Sequence, residues 1–169
     1  MVIGNQCAGP GWLDDAVHYN EVEQAVRELV AAADDEKRHR FGAETVVRLT
    51  ARDDLTDAAQ AEFDDHAQQA FEQARTDPAG STPDRLRAWL DTIDKGTLSD
   101  GDMDPQVLWA LEALEHWASF LVDHDPEFVL QLAIRSLEAV DYEVSARLDD
   151  FLASPEMTAE FDRIGRHLR

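Results

Sequence analysis

The sequence predicts an all-α protein, a single-domain antiparallel bundle of about six helices. Apolar residues recur at steps of three and four along most of the chain, which is the period of an amphipathic helix, and no segment shows the alternation typical of a strand. Capping residues followed directly by proline mark repeated helix starts. These pairs are Thr82-Pro83, Asp104-Pro105 and Asp125-Pro126.

The longest apolar pattern, from Gln106 to Leu152, indicates a central pair of helices joined by the sequence DHDP. In its first half the polar residues form one narrow stripe, so this helix should lie near the centre of the bundle. The second half is apolar on one side and polar on the other, and together the two halves predict a helical hairpin. Trp109 lies well round the first helix from Leu111 and Leu114. We favour a core position for it over an exposed anchor for a partner.

Two helices are expected at the start of the bundle. The first covers about residues 21–33 and begins with a capping box formed by Asn20 and Glu23. The second begins at the acidic residues 34–36, which suit the positive end of a helix. Gly42 lowers the helix propensity of this second segment.

Three more helices follow the same period. One covers about residues 55–75 without interruption, because its apolar residues keep the helical step throughout. A short helix begins at Thr82 and ends near Ile93, and the longest internal loop follows it with the sequence KGTLSDGDMD. The last helix begins at Ser154 and carries an apolar stripe and a basic end.

The domain boundaries follow from composition. Residues 1–11 are rich in glycine and predict a flexible N-terminal tail, and residues 12–169 predict the helical bundle domain. The single cysteine, Cys7, excludes an intrachain disulfide and favours a reducing, cytoplasmic setting. We find no basic and apolar signal segment and no stretch of about 18 apolar residues, so we expect no export and no membrane span.

The net charge of −21, from 36 acidic and 15 basic side chains, is the strongest compositional signal. Such a surface repels phosphate backbones and anionic lipids, which disfavours direct binding to nucleic acid or membrane. Two interpretations stay open. The acidity serves solubility or adaptation to salt, or it complements a basic protein partner, with mimicry of nucleic-acid phosphates as a special case.

The acids most suited to partner binding fall in two groups. The first is the outward face of the 55–75 helix, which we expect to be an acidic ridge without internal neutralisation because no Lys or Arg occurs between Arg52 and Arg75. The second lies at the end of the next helix and in the loop after it. The candidate partner-binding residues are Asp57, Asp64, Asp65, Glu72, Asp91, Asp94, Asp100, Asp102 and Asp104.

Metal and acid–base chemistry form the enzymatic alternative, a metal-assisted hydrolase inside the bundle. The segment SDGDMDP has carboxylates at alternate positions, but Pro105 stands where a calcium loop needs glycine and Leu111 where it needs glutamate. Pairs of an acid and a histidine at helical spacing could be half-sites or ordinary surface pairs. These pairs are Asp14 with His18, Glu36 with His39, Glu62 with His66, and Glu112 with His116. We predict no specific metal site and no cofactor.

The C-terminal two thirds of the chain resemble a family of small bacterial helical proteins typified by YjaG. The resemblance rests on WALEALEHWASFLV, on EFVLQLAIRSLEAVDYEV and on SPEMTAEFDRI, over about residues 36–165. It implies a helical fold and supplies no activity. By type, the chain also resembles acidic helical immunity proteins that neutralise basic toxin domains.

These observations favour a non-enzymatic role. We expect the protein to bind and neutralise a basic protein partner, as an immunity protein does against a nuclease-type toxin. The alternatives are the metal-assisted hydrolase and a housekeeping bundle whose acidity serves solubility alone. The sequence does not indicate an oligomeric state.

Overall fold

The computed structural model describes residues 17–98, 101–144 and 150–169, and these ranges contain eight helices where the sequence predicted about six. Within them the protein is all-α, as predicted, and its β-type pairing is one isolated bridge between Phe63 and Thr97. The predicted tail at residues 1–11 lies outside the described residues. The helices are α1 (Tyr19–Ala32), α2 (Asp35–Thr50), α3 (Leu55–Glu62), α4 (Asp65–Thr76), α5 (Pro83–Lys95), α6 (Pro105–Asp123), α7 (Pro126–Val144) and α8 (Pro155–Leu168).

The first helix begins two residues earlier than the sequence indicated, because its cap is His18. The Glu21 carboxylate accepts a hydrogen bond from the His18 backbone N–H at 2.9 Å. The predicted capping box of Asn20 and Glu23 is therefore wrong. Glu23 instead forms an ion pair one turn later with Arg27, at 3.2 Å.

The predicted continuous helix over residues 55–75 is divided into α3 and α4. Phe63 lies between them in an extended conformation, with φ −128° and ψ 150°, and forms the bridge with Thr97. Asp64 then caps α4 by accepting two backbone hydrogen bonds from its first turn, at 3.0 and 2.9 Å. The apolar pattern hid this break because Phe63 is buried on the same side as its helical neighbours.

The central pair consists of α6 and α7, which pack against each other and are joined by His124 and Asp125. His124 adopts a left-handed conformation, with φ 53°, that ends α6. The prediction that the second helix reaches Leu152 is wrong at its end, because residues 150–153 form a turn. In this turn the Phe151 backbone N–H donates to the Val17 carbonyl at 2.8 Å.

The larger hydrophobic core lies between α1, α2, α6, α7 and α8. Trp117 of α6 is fully buried there, and its indole N–H donates to the Pro78 carbonyl at 3.1 Å. A smaller core gathers α3, α4, the end of α5 and the start of α6. Its main members are Leu55, Phe63, Phe71, Ile93 and Val107. This smaller core determines how the predicted acidic residues are arranged.

Candidate acidic interface

Three segments carrying predicted acids meet beside the smaller core. We call residues 62–65, 94–98 and 101–104 the acidic junction. The Asp64 N–H donates to the Gly96 carbonyl at 2.8 Å, and the Leu98 N–H donates to the Glu62 carbonyl at 2.8 Å. These bonds flank the bridge between Phe63 and Thr97, so they fix the start of α4 against the end of α5.

The third segment joins through a buried carboxylate. Glu62, which is 8% exposed, accepts a hydrogen bond from the Asp104 backbone N–H at 3.0 Å. The Asp104 carboxylate in turn accepts from the Gln106 and Val107 N–H groups at 2.8 and 3.3 Å and caps α6. The start of α6 is thus tied to the end of α3. Two groups of acids that the sequence placed apart are brought together here.

The predicted partner-binding residues at the junction divide by role. Asp64 and Asp104 hold helix starts, so their carboxylates are engaged with backbone N–H groups. Asp65, Asp94 and Asp102 are exposed, and none of them forms an ion pair with another residue that the structure describes. The last three are therefore the carboxylates that remain open to a partner.

Three other predicted acids are not among the described residues of the acidic junction. Asp57 is exposed on α3, away from the junction. Asp91 forms an ion pair with Lys95 at 2.5 Å, with both side chains exposed. Asp100 falls outside the described residues.

The expectation of an acidic ridge without internal neutralisation is wrong at Glu72. Arg75 lies one turn further along α4, and its guanidinium is 3.4 Å from the Glu72 carboxylate. The same carboxylate accepts a hydrogen bond from the Thr56 hydroxyl at 3.0 Å. Arg75 also donates to the Thr50 carbonyl at 3.0 Å, which links α4 to the end of α2. Glu72 therefore belongs to a structural link and not to an open acidic face.

A groove runs from the acidic junction along the contact between α5 and α6. It has a volume of about 480 Å³ and an apolar floor. Its acidic rim is formed by Asp91, Asp94 and Glu115, and Arg87 is the one cationic side chain found in the lining within the described ranges. The apolar lining residues are Leu90, Ile93, Met103, Leu108, Leu111 and Ala118.

The sequence interpretation missed this groove. Leu108 belongs to the apolar pattern from which the first central helix was predicted, yet this residue is 41% exposed. A signal was present, because Leu108 precedes Glu112, Glu115 and Ser119 at helical steps and so shares their polar stripe. Trp109, for which we favoured a core position, is half-buried and meets the Tyr142 ring edge-on at 5.3 Å.

The acid and histidine pairs do not act together in the described structure. Glu112 faces Arg135 at 2.7 Å, while His116 packs beside the Phe128 ring at 6.3 Å between centroids. His39 lies against Trp117, with 5.1 Å between their ring centroids. Across the described ranges, no group of three or more His, Cys, Asp or Glu side chains is arranged to hold a metal ion.

The break at Phe63 separates the members of another predicted pair, Glu62 and His66. Glu62 is buried at the end of α3, whereas His66 is exposed in the first turn of α4. His18 caps α1, and its predicted partner Asp14 lies outside the described residues.

Partial burial shifts the pKa values of both Glu112 and His116. Burial raises the pKa of Glu112, with the charges of Glu138 and Glu115 adding to the effect and Arg135 opposing it. Burial also lowers the pKa of His116, against the opposing charge of Glu115. The Arg135 guanidinium, held between Glu112 and Glu138 at 2.7 and 2.5 Å, partly balances this cluster.

Comparison with known proteins adds no assignment. No protein-family model matches the chain, and no significant match was found among curated proteins or solved structures. The resemblance to the YjaG family therefore stays a prediction. Among the described helices, none combines the length and the apolar character needed to cross a bilayer.

Proposed function

We propose that this protein binds a basic protein partner through the acidic junction and neutralises it, as an immunity protein does against a nuclease-type toxin. The observation that supports the proposal best is the convergence of three backbone segments, each of which carries an exposed acid: Asp65, Asp94 and Asp102. We further propose that the scaffold is an antiparallel bundle in the cytoplasm, with α6 and α7 as its central hairpin.

Electrostatics explain why this arrangement suits a cationic partner. Carboxylates held close together by a rigid scaffold create a local negative potential, which speeds the encounter with a basic surface and suppresses acidic competitors. The helix starts capped by Asp64 and Asp104 fix the backbone that carries the exposed acids. The surface therefore does not need to be ordered when the partner arrives, which reduces the entropic cost of binding.

The proposal predicts that the reading frame next to this chain encodes a basic domain, and the test uses that domain. We expect the purified chain to bind that domain and to suppress its nuclease activity. Neutralising the open acids with Asp65→Asn, Asp94→Asn and Asp102→Asn should lower the association rate constant by about tenfold at low salt and by less at high salt. Stopped-flow fluorescence measures the rate in both conditions.

A matched triple variant separates the junction from overall charge. Glu36→Gln, Asp123→Asn and Asp162→Asn remove the same three charges from exposed positions outside the junction. We expect this control to change the association rate constant by less than about twofold. Equal effects of the two triple variants, or a neighbouring frame that encodes no basic domain, would contradict the proposal.

A further inference from the structure

The groove between α5 and α6 is a largely apolar surface beside the acidic junction. Its rim residue Asp94 and its lining residues Thr97 and Met103 belong to the junction segments, so the two features are continuous. Within the groove, Leu108 exposes 41% of its surface although it lies on the helix at the centre of the fold. Leaving apolar surface open here costs free energy that a bound segment would recover.

We propose that this groove receives an amphipathic cationic helix of the basic partner, whose apolar side chains contact the floor while its Lys or Arg side chains reach the rim. The inference rests on the proposed function and specifies the partner's binding element. From Leu108 to Ser119, α6 rises by about 16 Å, which matches about three turns of a docked helix. Anchors at steps of three and four along such a helix reach one continuous groove.

The rim charges select among possible occupants. Asp91, Asp94 and Glu115 disfavour a phosphate backbone or an acidic helix, and they favour side chains that carry a cation on a long apolar stem. Lys95 offsets Asp91, and among the described residues that line the groove Arg87 is the one cation. A second copy of this chain would bring another strongly acidic surface, since the net charge is −21.

The probe is a synthetic peptide of about 14 residues built from Leu, Lys and Ala, with Leu at helical steps on one face. A second peptide has the same composition with its Leu residues distributed around the helix, and a third replaces Lys by Glu. Titrations at about 0.15 M salt limit non-specific attraction. We expect the first peptide to bind at least tenfold more tightly than the other two.

Methyl NMR of methionine locates the binding site. Met103 lines the groove, whereas Met157 is buried in the larger core on α8 and is 1% exposed. We expect the amphipathic cationic peptide to shift the methyl signal of Met103 and to leave that of Met157 unchanged. A shift of neither signal, or of both equally, would overturn the groove as the binding site.

Two substitutions of equal character complete the test. Leu108→Gln removes apolar surface from the groove, and Val47→Gln removes a similarly exposed apolar residue from α2, outside the groove; the two wild-type residues are 41% and 40% exposed. We expect Leu108→Gln to weaken peptide binding about tenfold and Val47→Gln to change it by less than about twofold. Ser119→Trp, which fills the groove from its half-buried wall, should act like Leu108→Gln.

The outcomes separate this inference from the proposed function. Equal binding by the three variants and wild type, or equal affinity for the amphipathic and redistributed cationic peptides, overturns the docked helix while leaving the acidic junction untouched. If neutralising the junction acids leaves the association rate of the partner unchanged while peptide binding still depends on the groove, the proposed function is contradicted. The docking groove is then still supported.

Discussion

A buried carboxylate, Glu160, attaches the last helix to the body of the protein. Its side chain is 4% exposed and accepts hydrogen bonds from Arg163 at 2.7 Å and Arg48 at 3.0 Å. Arg163 is in the same helix, whereas Arg48 reaches across from α2. Burial opposes the ionised carboxylate, but hydrogen bonding and charge from Arg163, followed by the charge of Arg48, outweigh it and lower the pKa of Glu160.

Replacing this carboxylate by Glu160→Gln should destabilise the protein by about 3 kcal/mol at neutral pH, because the substitution leaves the largely buried Arg163 guanidinium without its counter-charge. Since the pKa of Glu160 is lower in the folded state, its stabilisation is complete above the pKa of the unfolded carboxyl. It is lost as pH falls through the folded pKa. The difference between wild type and variant should therefore shrink with acidification, as urea unfolding at several pH values would measure.

An exposed acid on the same helix provides the control for Glu160. Asp162→Asn also removes one carboxylate from α8, and it should change the free energy of unfolding by no more than about 0.5 kcal/mol. If Glu160→Gln were equally mild, or if its effect stayed constant down to strongly acidic pH, the ion pairs would not stabilise the fold as we argue.

At this same scale, the sequence predicted some roles and missed others. The cap at Asp104 was predictable because a carboxylate directly before Pro105 is a local signal. The neutralisation of Glu72 was missed because it depends on the rotamer chosen by Arg75, at the edge of the segment that looked purely acidic. The exposure of Leu108 was missed because the residue was assigned by its apolar character, although it shares the polar stripe of its helix.

Among the helices, sequence periodicity predicted type and burial better than continuity. The apolar residues of α3 and α4 keep one helical step, so the break at Phe63 leaves no mark in the pattern. The break is stabilised by pairing with Thr97, a contact 34 residues away along the chain that local spacing does not reveal. A signal was available in Asp64 and Asp65, because the same arrangement of acids at residues 34–36 had already indicated a helix start.

Gly42, a weak helix former, lies at the contact between α2 and α6. A Cβ at this position of α2 would lie 2.7 Å from Trp117 Cζ3 and 3.0 Å from Cε3. Trp117 is fully buried and its indole N–H is bound to the Pro78 carbonyl at 3.1 Å, so its ring has little freedom to move aside. The glycine therefore allows α2 to approach α6 closely, which offsets its low helix propensity.

The substitution Gly42→Ala should destabilise the protein by about 1–3 kcal/mol, because the cost of overpacking exceeds the gain in helix propensity of up to about 1 kcal/mol. Gly165→Ala on α8 is the matched case. There the nearest atom, at 3.0 Å, is the terminal Nη2 of Arg169, which can move away. We expect Gly165→Ala to be neutral or stabilising by up to about 1 kcal/mol. Chemical unfolding that gave both variants the same sign would refute the close-approach argument.

Over the whole molecule, the excess of acid is large but unevenly arranged. Many cations are already engaged, as Arg38 is with Asp35 and Arg52 is with Glu143. The acidic junction joins three backbone segments that each carry an exposed acid, and Asp65, Asp94 and Asp102 form no ion pair with a residue that the structure describes. Repulsion between carboxylates should therefore be strongest at the acidic junction. We therefore expect part of the dependence of stability on salt to come from the junction and not from the net charge.

Adding salt should stabilise the protein, because screening of repulsion within a chain of net charge −21 outweighs the weakening of exposed ion pairs. We expect the free energy of unfolding to rise by about 1 kcal/mol between low salt and about 0.5 M NaCl, which corresponds to an increase of about 2–4 °C in Tm. Scanning calorimetry at several salt concentrations measures this response.

Comparing the two triple variants shows how much of the salt dependence of Tm comes from the acidic junction. Each removes three carboxylates, but only the variant Asp65→Asn, Asp94→Asn and Asp102→Asn relieves repulsion among acids that the fold holds together. Its Tm should therefore depend less on salt than that of the variant changed outside the junction, because repulsion falls steeply with distance when charges are screened. Identical salt dependence in the two variants would mean that the negative charge is spread evenly, and the acidic junction would then have no special attraction for a cationic partner.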